Sequence, residues 1–107
     1  MKDKEAWDIW WADVYFEDHP SQKKRRPVVV LEDDGLCILS LKVTTHGPRS
    51  FDPCDYELQY WKEAGLAFPS VVRVAHVAYL REDDFHEKLG HLENADILGL
   101  QYKIQLR

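Results

Sequence analysis

Arg26-Pro-Val-Val-Val-Leu31, Glu32-Asp-Asp-Gly35 and Leu36-Cys-Ile-Leu-Ser-Leu-Lys-Val43 run as strand, turn and strand, and this stretch decides the fold class. Pro27 opens the first strand, where its missing N–H does least harm. An acidic turn ending in glycine tolerates positive φ, and the β-branched runs on either side of it make a hairpin.

Upstream, Trp7-Asp-Ile-Trp-Trp-Ala-Asp-Val-Tyr-Phe16 alternates at Trp7, Ile9 and Trp11, then slips by one residue to Val14 and Phe16. That rhythm predicts a strand with a bulge at Ala12. Between the two strands, Glu17 to Arg25 contains Pro20 and no aliphatic residue, and reads as a mobile polar loop that would order over a ligand. Downstream, His46-Gly-Pro is a break, Tyr56 to Leu58 a short strand, and Gln59 to Ala64 a brief helix closed by Gly65. Ser70 to Leu80 reads as a buried strand with Tyr79 exposed. Asp83 or Asp84 is expected to cap one helical turn closed by Gly90.

The C-terminus fits two periods. Ile97, Leu100 and Ile104 share a helical face, whereas Leu100, Tyr102, Ile104 and Leu106 alternate as in a strand. Many short strands with few helices predict one mostly β domain over residues 1–107, a small barrel.

At 107 residues, with 45% hydrophobic and 12% aromatic content, the chain can bury one modest core without disulfides or a metal. Cys37 and Cys54 form no CxxC and read as ordinary thiols. The longest apolar run, Val28 to Leu31, is too short to span a bilayer, and Met1-Lys-Asp-Lys-Glu5 is no signal-peptide core, so no membrane contact and a cytoplasmic location are expected. A net charge of -5 argues against general charge-driven nucleic-acid binding. The charge is uneven, however: Lys23, Lys24, Arg25 and Arg26 are adjacent, and the rest of the chain carries the acid.

His86-Glu-Lys-Leu-Gly-His91 superficially matches the zinc motif H-E-x-x-H, but residues five apart lie about 140° around a helix, and Gly90 breaks the segment. No metal site is expected there, nor a P-loop, a dinucleotide-binding glycine motif or a nucleophile elbow, and no cofactor is implied. The residues that could carry chemistry sit where strands end: His19 in the polar loop, Arg26 at a strand start, Thr44-Thr45-His46 at a strand end, and Arg73 near the start of the valine-rich strand. Converging at a barrel mouth, they would offer a phosphodiester a permanent cation, hydroxyl donors and an imidazole that titrates near neutral pH. Taken singly, each has a plainer role: solvated cations, β-branched strand residues, surface histidines, and an Arg73 paired to a carboxylate. The tryptophans Trp7, Trp10, Trp11 and Trp61 read as core or dimer contact rather than a base-stacking platform.

Five blocks in series resemble the MazF/PemK toxins of type II toxin–antitoxin systems in order and spacing. These are Asp8-Ile-Trp-Trp-Ala-Asp-Val14, Arg26-Pro-Val-Val-Val-Leu31, Lys42-Val-Thr-Thr45, Trp61-Lys-Glu-Ala-Gly-Leu-Ala-Phe-Pro-Ser-Val-Val-Arg73 and Lys88-Leu-Gly-His-Leu92. The resemblance implies an SH3-like β-barrel with short helices, of the kind shared by MazF, PemK and CcdB toxins, and a symmetric homodimer. It also implies a metal-independent endoribonuclease that cuts single-stranded RNA such as mRNA and is silenced by a cognate antitoxin.

By the same resemblance the family's Arg before Pro falls on Arg26, its hydroxyl pair on Thr44 and Thr45, the PemK-type loop histidine on His19 and the PemK-type Arg on Arg73. Lys23, Lys24, Arg25, His46 and His76 are then candidates for RNA contact. The chain departs from the pattern at Ala75, where PemK-type members carry Asp. It departs again at His76 and Ala78, at Lys42 in place of a proline, and at Gly99, expected to interrupt a final helix. Ala75 and Ala78 keep open a non-catalytic relative on the same fold, and a gyrase poison is the third reading.

Overall fold

The structure, a computed structural model, describes residues 4–15, 22–45 and 55–105. His19, His46 and Cys54, and most of the Glu17–Arg25 loop, lie outside the described residues. The elements are β1 (Asp8–Tyr15), β2 (Lys23–Asp33), β3 (Ile38–Thr44), β4 (Asp55–Glu57), β5 (Val71–Leu80), a 3₁₀ turn (Glu82–Asp84), β6 (Phe85–His91) and α1 (Asn94–Gln105). All strands join one antiparallel sheet in the order β4-β5-β3-β2-β1-β6. The mostly β class stands, but the sheet is not a closed barrel: β4 and β6 are its two edges.

The β2–β3 hairpin forms as expected. Asp33 and Asp34 accept the amide protons of Gly35 and Leu36 at 3.0 and 2.8 Å, and Gly35 takes φ +91°. Strand β2, by contrast, begins four residues before Pro27 rather than at it. Lys23, Lys24 and Arg25 pair with Tyr15, Val14 and Asp13 of β1, so this part of the expected loop is ordered strand. Opposite charges across the ladder favour that extension: Asp13 stands opposite Arg25 and holds Lys23 Nζ at 3.6 Å. Pro27 pairs with Trp11, and the ladder to β3 begins only at Val28, so the proline sits where one ladder stops. The irregularity foreseen in β1 falls on its β6 side, between Ile9 and Ala12.

Two short helices are corrected. Residues 59–64 form a single turn, with Leu66 N–H donating to Trp61 C=O at 3.0 Å and Gly65 N–H to Lys62 C=O at 3.1 Å, a Schellman closure around Gly65 at φ +99°. The expected Asp83–Gly90 turn shrinks to Glu82–Asp84, and Phe85–His91 becomes edge strand β6 because it can pair with β1. The backbones of Gly65 and Gly90 touch: a Cβ on Gly65 would strike the Leu89 carbonyl, and one on Gly90 the Ala64 carbonyl.

The C-terminal segment is helix α1, which runs through Gly99 without a break. Gly99 lies under the Tyr56 ring, where a Cβ would collide with the phenol. Leu100 is fully buried, and Ile97 and Ile104 pack beside it against Ile9, Val29, Val43, Val72 and Val74 on one face of the sheet. The other face buries Trp10, Ala12, Val28, Val30, Ile38 and Leu80. There Trp10 meets Phe85 edge-on at 6.1 Å, with the Lys4 ammonium over both rings. Tyr79 is 74% exposed, as its alternation predicts. No helix among the described residues is long and apolar enough to cross a membrane.

Candidate active site

The end of the hairpin at which β2 begins and β3 finishes borders a cavity of about 290 Å³. Lys24, Arg25, Arg26 and Pro27 line it from β2, Val43, Thr44 and Thr45 from the end of β3, and Trp11 from β1. Consecutive residues of both strands take part, so the wall includes backbone as well as side-chain atoms. The β2–β3 ladder ends at the pair of Val28 with Lys42, and just beyond that end Arg26 and Thr44 both line the cavity. Two residues placed by resemblance thus line one cavity although 18 positions separate them.

The second wall is the segment from Gly65 to Ser70, together with Leu89 of β6. The Schellman closure sends the chain out of the 59–64 turn at a fixed angle. Ser70 Oγ then donates to Phe68 C=O at 2.7 Å, and Leu58 N–H donates to Ser70 C=O at 3.0 Å, which ties the segment to the sheet. Phe68 is left 65% exposed at the cavity.

Among the described residues, three cations, two threonines and no carboxylate line this cavity, in a chain with 19 acidic residues. It can accept an anion, and its apolar part (Trp11, Pro27, Leu66, Phe68, Leu89) can accept a flat ring beside that anion. Sequence reasoning missed Trp11, Leu66, Phe68 and Ser70 as lining residues. Only Phe68-Pro69, an aromatic beside a turn former, carried a local signal.

The other candidates separate. Lys23 does not line the cavity and is paired with Asp13. Arg73 lies in β5, 8% exposed, and His76 is half-buried in the same strand, where the β3–β5 ladder shifts register between Leu41 and Lys42; neither lines the cavity. No histidine among the described residues does so. The two histidines with the wrong metal spacing each face an aspartate of β1: His86 Nε2 lies 3.1 Å from Asp13 and His91 Nδ1 2.8 Å from Asp8. His86, with Lys23 and Arg25 nearby, holds the Asp13 carboxyl below its ordinary range. Among the described residues no group of three or more potential ligands is placed to hold a metal ion.

Residues 5–106 match the family described as PemK-like, MazF-like toxin of type II toxin–antitoxin systems. The chain belongs to that family.

No curated protein sequence matches it. Among solved structures, this PemK/MazF-family chain is similar to an endoribonuclease in complex with its cognate antitoxin from a mycobacterial species, at 11% identity and a TM-score of 0.76, over 96% of this chain and 92% of that one. It is also similar to the Mycobacterium tuberculosis toxin MazF-mt6, at 20% identity and 0.68, over 91% and 93%. A third is the MazE–MazF structure from Deinococcus radiodurans, at 18% identity and 0.69, over 99% and 96%. At these identities the likeness establishes the fold, including an open sheet with a C-terminal helix.

Proposed function

We propose that this toxin-family chain is an endoribonuclease acting on single-stranded RNA through the RNA's own 2′-hydroxyl, and that a cognate antitoxin silences it. The observation that carries the reading is the cavity at Arg26 and Thr44, cationic and, among the described residues, without a carboxylate, in an acidic protein of this family. In the reaction the 2′-oxygen attacks phosphorus and loses its proton to a base. The P–O5′ bond breaks, the leaving 5′-oxygen takes a proton from a general acid or water, and the products are a 2′,3′-cyclic phosphate and a 5′-hydroxyl. Arg26 suits the negative phosphorane oxygens because its planar guanidinium gives two parallel contacts and keeps its charge. Thr44 donates to the same phosphate and Thr45 supports it; Lys24 and Arg25 hold flanking phosphates. The proton acceptor is assigned to His19, with His46 and His76 as the alternatives.

Phe68 and Trp11 offer a base a ring to stack on next to the phosphate-binding strand end, which makes sequence preference a property of that wall. A second copy of the chain is expected across the surface of α1, where Leu98 and Tyr102, one helical turn apart, are 67% and 63% exposed. A monomer by light scattering well above micromolar concentration would remove the homodimer from this reading.

The nuclease itself is tested by incubating purified protein with a long single-stranded RNA in EDTA and mapping the ends. Cleavage with cyclic-phosphate ends is the expected result; intact RNA over a broad sequence pool overturns it.

A further inference from the structure

Asp13 lies between Ala12 and Val14, which enter the core on one face of β1, so its own side chain is on the opposite face, that of Trp11. Trp11 and its cross-strand partner Pro27 both line the cavity. The next pair on that face is Asp13 with Arg25, and Arg25 lines the cavity as well. A carboxylate thus borders the cationic wall without entering the cavity.

On its other side Asp13 meets β6. Lys88 and Phe85 pair with Trp10 and Ala12, three residues of β6 against two of β1, and within that irregular stretch His86 reaches the Asp13 carboxylate. His86 Nε2 is 3.1 Å from Asp13 Oδ2, and Lys23 Nζ is 3.6 Å from the same oxygen. One oxygen therefore serves two partners. Among the described residues, the charged groups bearing on this carboxyl are His86 from β6 and Lys23 and Arg25 from β2; they hold it below its ordinary range, so it stays ionised at neutral pH and well below it. The His86 side chain is partly exposed and exchanges its proton with solvent. Neutral, it donates one N–H to Asp13 and leaves the carboxylate's charge to hold Lys23 and Arg25. Protonated, it offsets that charge, and the two cations become available to a phosphate.

From this row we infer that Asp13 restrains phosphate capture by Arg25 and Lys23, and that protonation of His86 lifts the restraint, so that this chain binds RNA more tightly at mildly acidic than at alkaline pH. The inference rests on the nuclease reading for its ligand and on the Asp13 cluster for its pH dependence. The effect falls on binding, because neither Asp13 nor His86 lines the cavity where the bond would break.

The test uses the full chain and its His86→Gln, His86→Lys and Asp13→Asn variants, each checked for native circular dichroism. In the first arm a 2′-O-methyl RNA pool, which lacks the attacking hydroxyl, is bound at pH 5.5 and pH 8.5 and followed by fluorescence anisotropy. Wild type and His86→Gln should bind equally at pH 8.5. At pH 5.5 wild type should bind about threefold more tightly than His86→Gln, the scale of one partly screened charge. His86→Lys, with a lasting cation there, and Asp13→Asn should each bind more tightly than wild type at pH 8.5, by a similar factor; a residue that merely held the strands together would weaken binding when replaced. Equal binding by wild type and His86→Gln at both pH values overturns the inference, as does weaker binding by a folded Asp13→Asn. In the second arm cleavage of unmodified RNA is measured at the same two pH values, and the His86→Gln difference should appear in KM, with kcat kept. RNA cleavage with a KM that His86→Gln leaves unchanged at pH 5.5 overturns the inference and leaves the nuclease reading standing. A His86-dependent pH response in a protein that cuts no RNA supports the inference and overturns the nuclease reading.

Discussion

The Asp96 carboxylate accepts the Tyr56 hydroxyl proton at 2.8 Å, joining the first turn of α1 to β4 across 40 residues of chain. The same carboxylate accepts the backbone N–H groups of Gln59 and Tyr60 at 3.0 and 2.9 Å. One fully buried side chain therefore fixes the helix, the short edge strand and the turn that leads to the Phe68 wall of the cavity.

Asp96→Asn replaces two acceptor oxygens by one and places an amide where donors converge. We expect a loss of about 3 kcal/mol in urea unfolding. Burial, and then Asp96, push the Tyr56 phenol well above its ordinary value of 10.0. Its folded pKa exceeds the unfolded one, so this contribution is complete below pH 10 and is lost as pH rises further. In an absorbance titration one of the five tyrosines should ionise only as the protein unfolds in alkali, and Tyr56→Phe should remove that step.

Asp8 gives the opposite pH dependence. Its burial raises the carboxyl pKa, but the Glu5 N–H at 2.9 Å, His91 at 2.8 Å and Lys88 at 3.4 Å outweigh that and bring it below 3.8. A depressed folded pKa contributes stability above the unfolded value and loses it as pH falls through the folded one. The urea midpoint of wild type should therefore drop below pH 4, and Asp8→Asn, already destabilised at pH 7, should show a smaller drop.

Gly65→Ala should cost more than Gly35→Ala by at least about 1 kcal/mol. Both glycines have positive φ, but a Cβ at Gly35 meets open space, whereas one at Gly65 meets the Leu89 backbone. Equal unfolding midpoints for the two variants would show that the contact between the 59–64 turn and β6 yields easily.

For the chemistry, Arg26→Lys keeps the charge and loses the fork, and should lower RNA cleavage by about 10²-fold in a chain with unchanged circular dichroism. Thr44→Val removes a hydroxyl at nearly constant volume and should cost about as much if the hydroxyl faces the developing charge. Cleavage by Arg26→Ala at the wild-type rate would remove Arg26 from the centre.

The hairpin of β2 and β3 was legible in the sequence because turn chemistry and β-branched runs are local properties, and so was the strand character of Asp8–Tyr15. The family, too, could be read from blocks in series. The sequence alone also determined the acidic body with one cationic cluster at Lys23 to Arg26.

What only the tertiary structure decided depends on pairing between distant segments. Phe85–His91 has a helical start signal and a glycine stop, yet it is a strand, since β1 offers it an unpaired edge. The C-terminus fits two periods, and α1 is set by the buried Asp96 and by Leu100 in the core. The same holds for the site. The fold brings Arg26 and Thr44 to one cavity, closes it with Phe68, and sets Arg73 beside Lys42; no spacing along the chain encodes those meetings, because a strand's partner lies outside its own sequence.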